Sequence, residues 1–411
     1  MLPSEAAQKQ SERLAQYSPL IQHQVTTLTR KLFVLGFSAL FSRVVEGPVV
    51  RTFYFKPLGE PKFSSILNKE EEFAGSLAVE SVRVERALGE VAISVPRADR
   101  QTIQFDACLH KMMTSELTRG MALPLLLGQS TIGEHLYADL AQQPHLLVAG
   151  ATNSGKSVFT AQLICSLSLF RTPEELEFIL VDTKNLDLVL FKGLEHVKYV
   201  LNNISDLRVA LTVLLEDVRL RNQQMSGLVR NIREWNTLNK KVSFPERYSD
   251  FQQGSMFASA MKYKILIIDE LADVLDQDNA FLAQIERKMR PPSIHSLLKT
   301  IAQISRAAGV HLILATQRPS VKVISGDIKT NFPARVSFKL PSSMDSRVIL
   351  DETGAENLLG MGDYLYKIAG SDTVKRAHSA FVSVNDIANI LAQNENIRRQ
   401  YARVGSEMQT L

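Results

Sequence analysis

Gly150-Ala-Thr-Asn-Ser-Gly155-Lys156-Ser157 is a complete G-x-x-x-x-G-K-S, and its flanks decide the fold. His145-Leu-Leu-Val-Ala149 before it is short and apolar, in the manner of a buried strand. Val158-Phe-Thr-Ala-Gln-Leu-Ile-Cys-Ser-Leu-Ser-Leu-Phe170 after it reads as a helix. Strand, glycine-bearing turn and helix are the order that a phosphate-binding loop needs. The glycines let backbone N–H groups curl around an anion, and the helix adds the positive end of its dipole. On this reading Gly150, Ala151, Thr152, Asn153, Ser154, Gly155, Lys156, Ser157 and Val158 form a nucleotide cradle. Lys156 lies along the β- and γ-phosphates of ATP, and the Ser157 hydroxyl faces Mg²⁺.

On either side of the loop, apolar strand-length runs alternate with longer helical stretches: His145 to Ala149, Phe178 to Val181, Lys264 to Ile268, Val310 to Ala315 and Ala334 to Leu340. Such alternation predicts an α/β fold, a parallel central sheet with helices on both faces. A long helix is expected from Ser205 to Met225, and a polar surface loop from Glu246 to Ser259. Upstream the text differs. An amphipathic helix is expected over Ile21 to Leu40, then two strands between Arg43 and Phe55 turned at Gly47-Pro48. Leu77 to Arg86 and Glu90 to Val95 alternate in strand fashion. The expected organisation is a disordered or frayed tail over 1–16, a small α+β module over 17–120, a motor-type α/β domain over 121–385, and a C-terminal helix and tail over 386–411.

Composition narrows the class. The 411 residues are 45% hydrophobic and 22% charged, which suits a soluble globular chain of one large domain with a smaller companion. The formal charge of +4 confines any nucleic-acid surface to a local patch. Cys108 and Cys165 are the only cysteines, without metal-ligand spacing, so a disulfide framework or structural zinc is not expected and a reducing, cytoplasmic compartment is. The longest apolar run, Leu32 to Phe41, is far short of the roughly 20 residues that span a bilayer, so no membrane segment is expected.

Two further strand ends, one helix end and a basic stretch carry chemistry. Lys264-Ile-Leu-Ile-Ile-Asp269-Glu270 ends a buried strand in two carboxylates. At the carboxyl edge of a parallel sheet, Asp269 belongs near the magnesium shell with Ser157, and Glu270 polarises the attacking water. Gln317, at the end of His311-Leu-Ile-Leu-Ala-Thr316-Gln317, can present an amide to the γ-phosphate. Arg306 ends the preceding helix, either as a cation complementing the helix dipole or as an arginine finger for a neighbouring subunit. Between Arg318 and Arg347 six basic residues stand against Asp327 and Asp345, a bias that either is a solvated face or tracks a phosphate backbone.

Taken together these residues resemble the FtsK/SpoIIIE family of bacterial DNA translocases. The resemblance rests on the phosphate loop with Pro144 to Gly150 before it, on Ile267 to Asp273, on Ser305 to Ser320, on Asp345 to Asp351 and on Gly354-Ala-Glu-Asn-Leu-Leu-Gly-Met-Gly-Asp-Tyr-Leu-Tyr366. Upstream, Gly47 to Arg51, Pro96 to Thr102 and Leu127 to Glu134 are similar to the family's small module and linker. It implies a RecA-like P-loop NTPase that forms a hexameric ring around double-stranded DNA and pumps it by ATP hydrolysis. Arg306 then falls where the family's arginine finger falls, and Thr316, Arg318, Lys329 and Arg347 become the candidate DNA contacts. A secretion or conjugation ATPase of the same superfamily is the alternative, and a nucleotide-gated scaffold without turnover is a third. The chain departs from the family at Asp182-Thr183-Lys184, where Pro is usual in the middle. It also departs in a longer stretch containing Arg290-Pro291-Pro292-Ser293, and at Ser342-Ser343-Met344, where a Lys is usual. Neither a membrane anchor nor a winged-helix reader is found, which suggests a motor fragment or a pared-down translocase.

Overall fold

The computed structural model describes residues 13–59, 63–67, 69–241, 260–371 and 373–392. The N-terminal tail, the polar loop expected over 246–259 and the C-terminal tail lie outside these residues, apart from the few that begin or end them. The chain divides into two compact units.

The first unit runs to Ile103 and includes Gln129–His135 and Asn357–Leu359. Helix α1, Pro19–Val34, buries Ile21, Val25, Leu28 and Leu32, a single stripe at helical spacing. It stops well before Leu40. Gly36 takes φ +75°, and Ala39 already opens strand β1, Ala39–Glu46. β1 pairs antiparallel with β2, Val50–Pro57, across the Gly47-Pro48 turn, as the sequence predicts. Gly47 has no room for a side chain, since a Cβ there would lie 2.1 Å from the Thr131 carbonyl oxygen. Helix α2, Glu70–Leu77, replaces the start of the strand expected from Leu77: Ala78 in the left-handed region, φ 52°, closes the helix. Strand β3 therefore begins only at Arg83 and runs to Ala87. With β4, Glu90–Pro96, the sheet order is β1-β2-β4-β3. Val25, Leu28, Phe41, Phe53, Phe55, Phe73 and Ile93 make its core.

The second unit holds a ten-stranded sheet in the order β6-β5-β14-β13-β12-β7-β11-β10-β8-β9. Helices α3, Phe105–Thr114, and α4, Glu116–Arg119, belong to this unit, although the sequence reading ended the small module after them. Strands β5, Pro124–Ser130, and β6, His135–Asp139, form one end of the sheet. The centre is β7, His145–Ala149, flanked by β11, Val310–Thr316, and β12, Ala334–Phe338; beyond β11 come β10, Tyr263–Ile268, and β8, Leu176–Val181. All of these pair in parallel, as does the edge strand β9, Val197–Leu201. β13, Asp363–Lys367, and β14, Lys375–His378, join on the β12 side as antiparallel strands.

Helix α5, Lys156–Phe170, follows β7 and is buried almost all round, so its polar residues need partners inside the protein. Gln162 has them: its amide donates to Leu126 O at 2.6 Å and accepts from Ala380 N at 2.6 Å. The expected long helix is α6, Ile204–Met225. It is followed by α7, Ile232–Lys241, then α8, Leu271–Ala283, and α9, Ile294–Ile304. The extra stretch before α9 is pinned: Arg208 pairs with Asp278 at 2.5 Å and donates to Pro292 O at 2.9 Å, while Asp278 accepts from Ile294 N at 2.8 Å. Helices α10, Gly326–Asn331, α11, Ser343–Leu350, and α12, Val384–Ala392, complete the described chain. Cys108 and Cys165 are buried and form no disulfide. No described helix is long and apolar enough to cross a membrane.

Candidate nucleotide-binding site

Because β7, β10 and β11 run parallel, their carboxyl ends place the phosphate loop, Asp269–Glu270 and Thr316–Gln317 along one edge of the sheet. The loop is held from both sides. Gly150 N–H donates to Thr316 O at 3.2 Å on β11, and Ala151 N–H to Lys339 O at 2.9 Å just after β12. The two motif glycines are obligatory for separate reasons. A Cβ at Gly150 would lie 2.7 Å from Phe338 Cβ, and one at Gly155 would meet Gly362 N at 2.5 Å, with φ +110° besides. Phe159 N–H makes the first bond of α5, to Gly155 O at 2.9 Å. The amides of Gly155, Lys156, Ser157 and Val158 therefore precede any intrahelical partner, and they are the donors a phosphate takes.

Lys156, only 3% exposed, donates to Asp269 at both its carbonyl oxygen and Oδ1, each 2.8 Å away. Ser157 Oγ donates to Asp187 Oδ2 at 2.6 Å. Sequence reading did not single out Asp187. Its loop is shaped by Asp182, whose Oδ2 accepts the N–H groups of Leu186, Asp187 and Leu188 at 2.9 to 3.0 Å. Asp182 thus restrains the Asp182-Thr183-Lys184 turn in place of the missing proline. The sequence signal was available in the short repeat of Asp182 and Asp187 just past a buried strand.

Glu270 is buried and fully engaged. Thr316 Oγ1 donates to its Oε1 at 2.6 Å, and Gln317 N–H lies 2.9 Å from Oε2. Gln317 Oε1 in turn accepts from Thr152 Oγ1 of the phosphate loop at 3.1 Å. One chain of hydrogen bonds therefore joins the phosphate loop, the strand end carrying Gln317 and the acid Glu270. Thr316 is 1% exposed and its hydroxyl is bonded to Glu270, which sets its side chain apart from the exposed Arg318 and Arg347.

The oxygen donors suit a small hard cation. Ser157 and Asp187, bonded to each other, and Asp269 beside Lys156 supply hydroxyl and carboxylate oxygen, while no group of three or more His, Cys, Asp or Glu that could hold a metal ion occurs among the described residues. Such a partial set fits Mg²⁺, which binds through one or two protein oxygens and completes its octahedron with water and substrate phosphate.

The other named residues separate. Arg306 lies in the turn between α9 and β11, at the amino edge of the sheet. It is exposed and sits beside a cavity of about 550 Å³ that Arg230, Arg233 and Tyr263 also line. The seven residues of β11 put it roughly 20 Å from the phosphate-loop edge at ~3.3 Å per residue. Arg318 and Arg347 are exposed. Lys329 is instead committed to Asp351, which also takes Arg335. Burial works against the Asp351 charge, but the hydrogen bonds from Lys329 and Arg335 outweigh it and hold the carboxyl below its usual range.

A model of the FtsK/SpoIIIE family matches residues 109–321, and a model of the FtsK alpha domain matches residues 2–97. The DNA translocase FtsK of Rickettsia prowazekii is 36% identical over 374 residues, covering 86% of this chain and 48% of that protein. The DNA translocase FtsK of Pseudomonas aeruginosa is 35% identical over 406 residues, covering 95% of this chain and 47% of that protein. The chain spans about half the length of these curated relatives. Among solved structures, the pCW3 conjugation coupling protein TcpA, in a monomer form with ATPγS, matches with a TM-score of 0.55 at 20% identity. That match covers 90% of this chain and 99% of the other, and it shows a shared fold.

Proposed function

The chain belongs to the FtsK/SpoIIIE family, and from that premise we propose that it is an ATP-driven motor that moves double-stranded DNA through a ring of its own subunits. The observation that carries this is the hydrogen-bonded path Thr152–Gln317–Glu270. A group that touches the phosphate loop and a carboxylate suited to activating water are mechanically joined through the strand end that continues into the exposed Arg318. A change at the γ-phosphate is thereby felt in the segment that bears the basic residues.

In this reading residues 17–120 and 121–385 are the family's small module and motor domain, and the protein works in the cytoplasm. Lys156 and the amides at the start of α5 hold the β- and γ-phosphates of ATP. Ser157, Asp269 and Asp187 hold Mg²⁺, which neutralises phosphate charge when bound. Glu270 takes a proton from the attacking water, and Gln317 orients it. Arg306, at the far edge of the sheet from its own phosphate loop, acts on the nucleotide of the next subunit, which requires a closed ring such as a hexamer. Arg318 and Arg347 contact the DNA backbone. The secretion reading would need a pore that engages peptide, and no observed feature favours it over relatives named as DNA translocases at about 35% identity.

The test is the ATPase rate with and without linear duplex, on protein whose oligomeric state is measured in the same buffer. Duplex should raise the rate severalfold, and the stimulation should fall steeply with salt. Mixing Arg306→Ala with Lys156→Ala subunits should recover activity that neither has alone. Full activity of Arg306→Ala under conditions where the wild-type chain is monomeric would remove the trans role.

A further inference from the structure

The Gly360-Met361-Gly362-Asp363 turn before β13 has no part in the phosphate chemistry above, yet it is built with unusual care. Three consecutive residues lie in the left-handed region: Gly360 at φ 78°, Met361 at φ 50° and Gly362 at φ 97°. For a methionine this backbone is rare, and an observed outlier of this kind is grounds for asking what it serves. Met361 is also 94% exposed, one of the most exposed large apolar side chains among the described residues.

The turn is not loose. Gly362 N–H donates to Ser154 O of the phosphate loop at 2.9 Å, and Gly362 O accepts from Ser379 N at 2.8 Å. The next residue, Asp363, is buried and grips Arg376 with both oxygens, at 2.9 and 2.7 Å, across the antiparallel pair β13 and β14. A buried bidentate pair and a backbone bond to the phosphate loop thus hold one exposed thioether against solvent, immediately beside Gly155.

Sheet order says what could occupy that place. Along β13-β12-β7-β11-β10 the phosphate loop follows β7, and the catalytic acids end β10, two strands to one side. The γ-phosphate must face the acids. The α-phosphate, sugar and base then leave toward the opposite flank, where β12 and the turn before β13 lie. A polarisable, unbranched thioether is suited to packing on an aromatic ring. We infer that Met361 is the shelf for the nucleobase, and that the Gly360–Asp363 turn fixes it to the phosphate loop so that base and phosphates are read as one unit.

This rests on the nucleotide-site reading, and the experiment separates the two. Calorimetric titration, in a Glu270→Gln background and with Mg²⁺, compares ATP with inorganic tripolyphosphate, which has the phosphates and no base. Met361→Gly suits the left-handed backbone and removes only the side chain. It should weaken ATP about tenfold while tripolyphosphate changes by less than twofold, and Met361→Leu should restore most of the ATP affinity. Equal weakening of both ligands would make the turn a brace for the phosphate loop alone and overturn the inference, as would unchanged ATP affinity. A parent protein that binds neither ligand would overturn the nucleotide site itself.

Discussion

At the residue scale, the role of Glu270 depends on two donors that fix its carboxylate, the Thr316 hydroxyl and the Gln317 amide. Glu270→Gln keeps shape and can still accept one of these bonds, but it loses the charge that the proposed general base needs. Turnover should drop by about 10² or more with ATP affinity retained. Thr316→Val is nearly isosteric and deletes one bond of about 1.5–3 kcal/mol to a charged acceptor. Its kcat should fall while duplex affinity stays level, measured by steady-state kinetics and by DNA binding at fixed salt. A variant with normal kcat and weakened DNA binding would return Thr316 to the DNA interface. That Lys156, Ser157, Asp269 and Glu270 come to one edge of the sheet was legible because a phosphate loop and a strand-end acid pair are local patterns. The bond between Thr316 and Glu270 was not legible, because the two lie 46 residues apart on different strands and only the register of β10 against β11 brings them together.

At the element scale, the basic excess between Arg318 and Arg347 divides into two kinds of residue. Lys329 and Arg335 converge on Asp351, which closes α11 with φ 66°, whereas Arg318 and Arg347 stay exposed. Arg318→Ala with Arg347→Ala should therefore lower the log–log salt slope of duplex binding by about 1.8, or ~0.9 for each phosphate that is no longer neutralised. Lys329→Ala should leave that slope unchanged and cost up to about 1 kcal/mol of stability, the usual range for a partly exposed pair. The reverse outcome, measured by binding between 50 and 200 mM salt, would exchange the two roles. Element boundaries were the least readable part of the chain. The parallel strands β7, β8, β10 and β11 are largely apolar runs buried on both faces, and so announce themselves. β9 is a half-exposed edge strand whose apolar residues are at most partly buried, and α2 ends where a single residue, Ala78, turns left-handed. Alternation from Leu77 onward looks the same whether it begins in a strand or in a helix cap.

At the scale of the whole molecule, two buried histidines tie the sheet's stability to pH. His145 Nδ1 accepts the Leu312 N–H at 3.0 Å while its Nε2 donates to Ala302 O, so a second ring proton would face a donor. Burial, with the neighbouring His311, pushes His145 down to about 3. Burial pushes His311 down to about 4. The unfolded chain binds these protons near pH 6.5 and the folded chain does not. The stabilisation is thus complete above that pH and is lost as pH falls toward 4 and 3, at up to about 1.4 kcal/mol per pH unit for each histidine. Urea midpoints should fall between pH 7.5 and pH 5.5, and a level or rising midpoint would contradict the neutral buried pair. Whether hydrolysis at one sheet edge drives DNA movement in a ring is decided by displacement of a triplex-forming strand annealed partway along a linear duplex. ATP should cause displacement by the wild-type chain, at a delay that grows with the distance from the duplex end, and neither Glu270→Gln nor a non-hydrolysable analogue should support it. Robust duplex-stimulated hydrolysis without any displacement would contradict the motor reading, because the ATPase would then be coupled to something other than motion along DNA.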